Sequence, residues 1–406
     1  MYHDARTVVA PLTYGQLGMD ILFLVSRVPY PLEKGDKLRA FHHLRLLSER
    51  HAITLIALTD QPVHPDARAV LQRYCSKIHI IHLSWGSRLL NLAAAFFKGI
   101  PFSSGYFYSK AAQRIVDRTI EELRPAHIYC QLTRVCEYVV HIKDVPKTLD
   151  YQDAFAKGIE RRVEREPFYL RWLYRMEYRR LRRYEARVLD RFDNSVIISG
   201  QDRECIDHPD RQRILVIPNG VDFDYFRSQQ AAKDYDLVFT GNMAYPPNVE
   251  SVLFLVNDVL PLVWKKMPGA KLLVAGATPA ARIQILESKN VHVSGWVEDI
   301  RESYGRSRVF IAPMLISIGL QNKLLEAMAM QLPCITSELA NNALGAKHDV
   351  NILVCATPQE YADAVLRLLG NPKEAERISA AGHEFVRENY SWEEVTRPLL
   401  DLMEPQ

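Results

Sequence analysis

Along this chain, short and nearly continuous apolar runs alternate with stretches in which apolar residues return every three or four positions. MDILFLVS (19–26), ITLIALT (53–59) and KIHIIHLS (77–84) have the length of buried strands, and KLRAFHHLRLLSER (37–50), between the first two, has helical spacing. HIYCQL (127–132), KTLDY (147–151) and NSVIIS (194–199) continue the series. Strand, helix and strand in succession predict a parallel sheet, because parallel neighbours need a crossover and a helix fills it. The alternation starts afresh with DLVFTG (236–241), KLLVAG (271–276), VHVSG (291–295), RVFIAP (308–313), PCITS (333–337) and VNILVC (350–355). The fold class this predicts is α/β: two Rossmann-like, doubly wound parallel-sheet domains in tandem, with an interdomain cleft lined by loops at the strands' carboxyl ends. The expected division is an N-terminal extension over 1–18, a first domain over 19–214, a second over 215–385, and a last helix over 386–406 returning to the first domain. Two helices are expected over 373–403, broken at NYSW (389–392), since Asn and Ser favour caps over helix interiors.

Composition narrows the classes. The 406 residues are 48% hydrophobic and 24% charged, enough to bury real cores in two or three domains and too apolar for a disordered chain. Lys and Arg number 51 against 48 acidic residues, and a formal charge of +3 over this length is no nucleic-acid footprint. The six cysteines show no C-x-x-C spacing and no pairing with His that builds a zinc site, which reads as free thiols in a reducing compartment. The longest apolar run, LLNLAAAFF (89–97), is about half of the ~20 residues a membrane span needs and is expected as a core helix. No signal-peptide pattern opens the chain. The expected place is the cytoplasm, with the inner face of the cell membrane as a peripheral site.

Several segments carry candidate chemistry, each beside a plainer explanation. IPNGVDFDYF (217–226) reads as a turn at a domain junction: Pro fixes φ, Asn-Gly permits positive φ, and Asp satisfies backbone donors where a helix begins. In FTGNMAYPPN (239–248), Gly241 and Asn242 directly follow a strand and precede a helix whose amides could meet a phosphate, or they are an ordinary strand-to-helix turn. In SIGLQNKLLEAMAMQLP (317–333), Gly319 precedes a helix with Leu324, Leu325, Met328 and Ala329 on its apolar face. Amides from Gly319 through Asn322 would then face a diphosphate or sugar hydroxyls, with Lys323 adding charge and Glu326 able to accept from two ribose hydroxyls. Solvated helix residues are the plainer account of Lys323 and Glu326.

SGWVED (294–299) ends a strand with Gly295 and Trp296, where backbone groups could read the edge of a base, or Trp296 is a buried core residue. VSRVPYPLEKGDKLR (25–39) is a Pro-punctuated loop in which Gly35 allows close approach of a ligand and Asp36 serves function or only caps the helix. LDYQD (149–153) places Asp150 and Asp153 at a strand end, by function or by turn chemistry. Residues 161–192 hold eleven Arg among seven Phe, Tyr and Trp, as a helix broken near Pro167. That mixture suits an anionic lipid surface, whereas five acidic residues in the segment suit a salt-bridged, solvated helix.

In order and spacing these segments resemble retaining glycosyltransferases of family 4, which have the GT-B fold, over nearly the whole chain from Met19. The segments are VSRVPYPLEKGDKLRAFHHL, PNGVD, TGNMAYPPN, KLLVAG, SGWVED, KLLEAMAMQLPCIT and the closing YSW helix, and the likeness is greatest to a bacterial subgroup associated with exopolysaccharide and exosortase-type surface systems. The resemblance implies an enzyme of hexosyltransferase type. It would move a sugar from a nucleotide diphosphate sugar, its substrate rather than a cofactor, to a glycan or lipid-linked acceptor in surface polysaccharide biosynthesis. It also implies that Glu326 binds ribose, that Gly319, Leu320, Gln321 and Asn322 hold sugar and diphosphate, that Lys323 neutralises phosphate, that Trp296 and Val297 frame the base, and that Gly35 lies under the diphosphate. Asp150 stands where the family's acceptor-side His falls. Ile318 replaces the first Glu of the family's Glu, seven residues, Glu motif, and 242–248 lacks the Arg and Lys pair many members use. The Asp-x-Asp triplet DFD (222–224) lies after the junction turn and not in the usual place for a divalent ion, so no metal is expected. Rival readings are an epimerase-like GT-B enzyme acting on the same donor and a catalytically inactive GT-B scaffold.

Overall fold

The computed structural model describes residues 18–163, 166–228, 231–316 and 319–404. The expected extension over 1–18 lies outside them except for Gly18. The chain forms two compact units, Met1–Ile217 with Thr396–Gln406, and Pro218–Val395.

The first unit is built on β1 (Asp20–Val25), β2 (Ala52–Thr59), β3 (Lys77–His82), β4 (His127–Gln131), β5 (Lys147–Gln152), β6 (Asn194–Ile197) and β7 (Leu215–Val216). All neighbours are parallel, in the order β3-β2-β1-β4-β5-β6-β7. Successive side chains of a strand point to opposite faces, so a run apolar at every position must be covered twice. β1 shows this directly. Leu22 and Leu24 lie in one core with Ile56, Leu58, Ile128 and Cys130, while Ile21, Phe23 and Val25 lie in another with Ile53, Leu55 and Tyr129. The second core also takes in Leu399, Leu400 and Met403 from the closing helix Trp392–Met403. β7 escaped the sequence pattern because two residues are too few to show a period.

The second unit carries β8 (Tyr235–Thr240), β9 (Leu272–Ala275), β10 (Val291–Gly295), β11 (Ser307–Ala312), β12 (Cys334–Ser337) and β13 (Leu353–Cys355), again all parallel, in the order β10-β9-β8-β11-β12-β13. In open α/β sheets, ligands gather outside the carboxyl ends of strands where the order reverses. Those points are β1 and β4 in the first unit, and β8 and β11 in the second.

Four local expectations need correction. Gly220 does not use positive φ; it is required because a Cβ there would stand 2.7 Å from Trp392 Cα and 2.8 Å from its nitrogen. Asp222 does satisfy backbone donors, its Oδ1 accepting from the amides of Asp224 and Tyr225, but it closes a turn, and no helix begins there. The helix Gly35–Ser48 begins one residue before Asp36, with Lys34 as its N-cap, so Asp36 is a first-turn residue and not the cap. The 89–97 run does form a helix, Trp85–Lys98, but Phe97 is 86% exposed, so this is a surface helix with one covered side and not a core helix. Its covered side meets the next helix where Gly105 leaves room for Ala95.

Candidate functional site

At the carboxyl end of β8 the chain leaves Thr240 through Gly241 at φ +150° and turns into the helix Pro246–Phe254. β9 ends beside it in Gly276 at φ +142°, whose Cβ, if it had one, would lie 1.8 Å from the Gly241 carbonyl oxygen. Two adjacent strands therefore converge on two glycines, and nothing larger fits. Asn248 is buried in the first turn of that helix; its Nδ2 donates to the Asn242 carbonyl at 2.9 Å and its Oδ1 accepts from Lys323 Nζ at 2.5 Å. The Lys323 ammonium also stands 4.4 Å from the centre of the Phe239 ring. Burial pushes Lys323 down to about 7, with Glu326 opposing the shift. A cation seated among an amide oxygen and a ring face, with no formal anion bonded to it, is prepared for an anionic ligand.

Lys323 belongs to the helix Asn322–Ala329, which Gln321 precedes without a side-chain cap, Gln321 Nε2 donating instead to the Gly319 carbonyl at 3.3 Å. Gly319 has φ +71°. Leu324, Leu325, Met328 and Ala329 are buried as the pattern predicts, leaving Lys323 and Glu326 on the other side. Tyr304, wholly buried, donates to Glu326 Oε2 at 2.8 Å and is joined to Thr240 Oγ1 at 2.9 Å. Burial raises the Glu326 carboxyl above its usual value, against the opposing pull of the Tyr304 hydrogen bond and of Lys323. Thus Gly241, Asn242, Lys323 and Glu326 are tied together through Asn248, Tyr304 and Thr240. Gly276 hydrogen bonds to the Gly295 carbonyl at 3.0 Å, which brings β10's end to the same edge of the sheet. Trp296, next in the chain, is 64% exposed and Val297 half-buried, so Trp296 is not a core residue. Leu320 and Asn322 are half-buried, and Ile318 lies outside the described residues.

The first unit gathers a second constellation at the ends of β1, β4 and β5. Asp150 is fully buried, its Oδ2 accepting from Arg39 Nε at 2.6 Å and Tyr129 OH at 2.8 Å, its Oδ1 from the Gln152 amide at 2.9 Å. Arg39, also fully buried, passes a second hydrogen bond to the Ile217 carbonyl at 2.8 Å. Gln152 sits at φ +64°, and the amide bond to Asp150 holds that turn. Asp153, one residue on, is open to solvent, and its carboxyl is pushed up to about 6 by surrounding protein, with Asp202 adding to the rise. Gly35 opens its helix with only Gln152 Nε2 within reach of a Cβ, at 3.9 Å. Arg27 binds Asp36 at 2.5 Å, and Gln131 Nε2 donates to the Asp36 carbonyl at 2.8 Å.

Tyr304, Asn248 and Gly276 were not found in the sequence. Gly276 had a signal, since KLLVAG ends in Gly as the neighbouring DLVFTG does. The other two carry no local signature and are defined only by what they hold.

Residues 234–371 match the family of glycosyl transferases group 1. Over 397 residues, 92% of this chain and 97% of the relative, the sequence is 22% identical to an uncharacterized 44.6 kDa protein in the cps region of Klebsiella pneumoniae. A glycosyltransferase from Rickettsia africae superposes with a TM-score of 0.65 at 14% identity, covering 96% of this chain and 98% of that one. Anabaena Alr3699/HepE, solved in complex with UDP and glucose, gives 0.64 at 12% identity, covering 95% and 99%. The fold is that of the GT-B glycosyltransferases. The match to the glycosyl transferases of group 1 lies within the second unit.

Proposed function

We propose that this enzyme moves a hexose from a nucleotide diphosphate sugar to a glycan or lipid-linked glycan, with retention at the anomeric carbon and with no metal or other cofactor required. The observation that carries the reading is Lys323, fixed by Asn248 beside Gly241 at the end of β8, one helical turn before a Glu326 oriented by Tyr304. A departing diphosphate develops negative charge, and a pre-positioned ammonium beside the uncapped first turn of a helix stabilises it without reorganisation. Glu326 accepts from the ribose hydroxyls. Gly319 to Asn322 hold the sugar and diphosphate, Trp296 and Val297 frame the base, and Gly35 leaves room for the diphosphate. As the bond from the anomeric carbon to the diphosphate breaks and the bond to the acceptor oxygen forms, Asp153 takes the acceptor hydroxyl's proton. Asp150 acts through Gln152 and Arg39 as a positioning residue. The Asp-x-Asp triplets DFD (222–224) and DYD (234–236) support metal independence, since Asp222 closes its own turn, Asp224 pairs with Arg227, Asp234 with Arg306 and Asp236 with Arg308.

The complex of Alr3699/HepE with UDP and glucose supports the substrate class. The relative in the cps region is in keeping with surface polysaccharide assembly on the cytoplasmic side of the membrane. The test is a thermal-shift panel of nucleotide diphosphate sugars with and without chelator. One donor is expected to stabilise the chain by about 2.7 kcal/mol when present at a hundred times its dissociation constant, equally with EDTA. The same donor should give little shift with Lys323→Ala or Glu326→Gln. No shift with any donor would sink the reading; a shift abolished by EDTA and restored by Mg²⁺ or Mn²⁺ would remove metal independence.

A further inference from the structure

The helix Phe168–Leu189 carries seven arginines and two carboxylates, Glu177 and Glu185. The structure shows that neither carboxylate balances the arginines at the surface. Glu177 is buried and accepts from the amides of Phe102 and Ser103, capping the helix Phe102–Phe107. Glu185 is buried and accepts from the Ala156 amide in the first turn of the helix Phe155–Val163. Burial raises both carboxyls from the ordinary glutamate value, Glu185 to about 8. Arg182 pairs with Asp207. Arg175, Arg179 and Arg183 are exposed and form no ion pair among the described residues.

The same helix places large aromatics in water at its beginning, Phe168 at 83% exposure and Trp172 at 59%, with Tyr169 between them. Its outer side continues onto a second element. Arg180 donates to the carbonyls of Ala95 and Phe96 at 3.4 and 2.8 Å and stacks over the Phe96 and Phe102 rings. Phe96 and Phe97, at the end of the helix Trp85–Lys98, are exposed as well. At 3.6 residues per turn, Tyr169, Trp172, Met176, Arg180 and Arg183 share one face, and that is the face Arg180 turns toward Phe96. The inner face, with Tyr174, Tyr178 and Leu181, packs on the helix Phe155–Val163.

We infer that this two-helix face of the first unit docks on an anionic lipid bilayer. Exposed Phe, Trp and Tyr enter the headgroup region, where such rings are most stable, and unpaired arginines meet lipid phosphates. Charge complementarity selects this occupant over a second copy of the chain, which would set arginine against arginine. The inference gives a lipid-linked acceptor of the proposed reaction a place to be met, but binding is read without turnover, so the two stand or fall separately.

The experiment is co-sedimentation of the full chain with vesicles of phosphatidylcholine alone or with added phosphatidylglycerol. Binding is expected only with phosphatidylglycerol, weakening with salt, together with a blue shift of tryptophan emission. Arg175→Gln/Arg179→Gln/Arg183→Gln should weaken it on the order of a hundredfold, at about a fivefold loss per charge near an anionic surface. Phe97→Ser/Phe168→Ser/Trp172→Ser should abolish the blue shift. Both variants should keep the parent melting temperature and its shift with the nucleotide sugar, which shows that the fold and donor site are intact. Equal binding to neutral vesicles, no binding to anionic ones, or wild-type binding by both variants would overturn the inference. Self-association in sedimentation that the aromatic substitutions remove would give the face to a second copy and overturn it too.

Discussion

Lys323 is the residue whose surroundings matter most. In the free protein its ammonium is held at about 7 by burial, well below the usual lysine value. The sign of the stability effect follows: below about pH 7 native and unfolded chains are both protonated there and the burial penalty is fully present. Between that point and the ordinary lysine range the unfolded chain binds the extra proton, so stability of the free protein rises with pH. A bound diphosphate reverses the balance by favouring the charged form. Donor binding should therefore take up a proton on the alkaline side of neutrality and none on the acid side, and affinity should fall as pH climbs. Isothermal titration in buffers of different ionisation enthalpy measures this, and Lys323→Arg, charged throughout, should take up none. Wild-type binding with no proton uptake above neutrality would exclude Lys323 from the diphosphate.

Among the elements, the strand ends and the turns that follow them separate stability from function. Gly276→Ala places a methyl group 1.8 Å from the Gly241 carbonyl oxygen at a φ disfavoured for alanine, so β8 and β9 must part. Strained backbone of this kind costs ~1–3 kcal/mol before the clash is counted, and the melting temperature and donor binding should fall together. Gly35→Ala is the contrast. Its φ is ordinary and nothing lies closer than 3.9 Å, so the added Cβ should leave the melting temperature within the ~0.5 kcal/mol typical of benign substitutions. If Gly35 is bare to admit the diphosphate, the donor KM should rise nonetheless. An unchanged KM would make it a helix-start residue and no more. The helix Asn322–Ala329 was readable because its apolar positions recur at the right spacing. The Phe168–Leu189 helix was readable as basic and aromatic, but its two glutamates counted as surface charge until the structure buried them as caps.

For the whole molecule, the prediction concerns the product of the proposed reaction. Product formed with an acceptor should keep the donor's anomeric configuration by proton NMR. Incubation of donor alone should yield no epimer and no more than slow hydrolysis. Epimer or rapid release of free sugar without acceptor would favour the epimerase-like reading, and binding without turnover on any acceptor would favour an inactive scaffold. The duplicated architecture was legible early, since near-continuous apolar strands are buried on both faces and admit few alternatives to a helix-covered parallel sheet.

Sequence alone determined the class of fold, because the period of apolar residues fixes which faces are buried and chain length fixes how many sheets there are. It also marked Gly241, Gly319, Lys323 and Glu326, whose local setting at a strand end or helix start is visible one residue at a time. Tertiary structure alone decided what those residues are joined to. Asn248 and Tyr304 lie 75 and 22 residues from the side chains they orient, and Asp150 meets Arg39 across 111 residues. Such partners are chosen by where strands end in space, a property of the sheet order that no local pattern encodes.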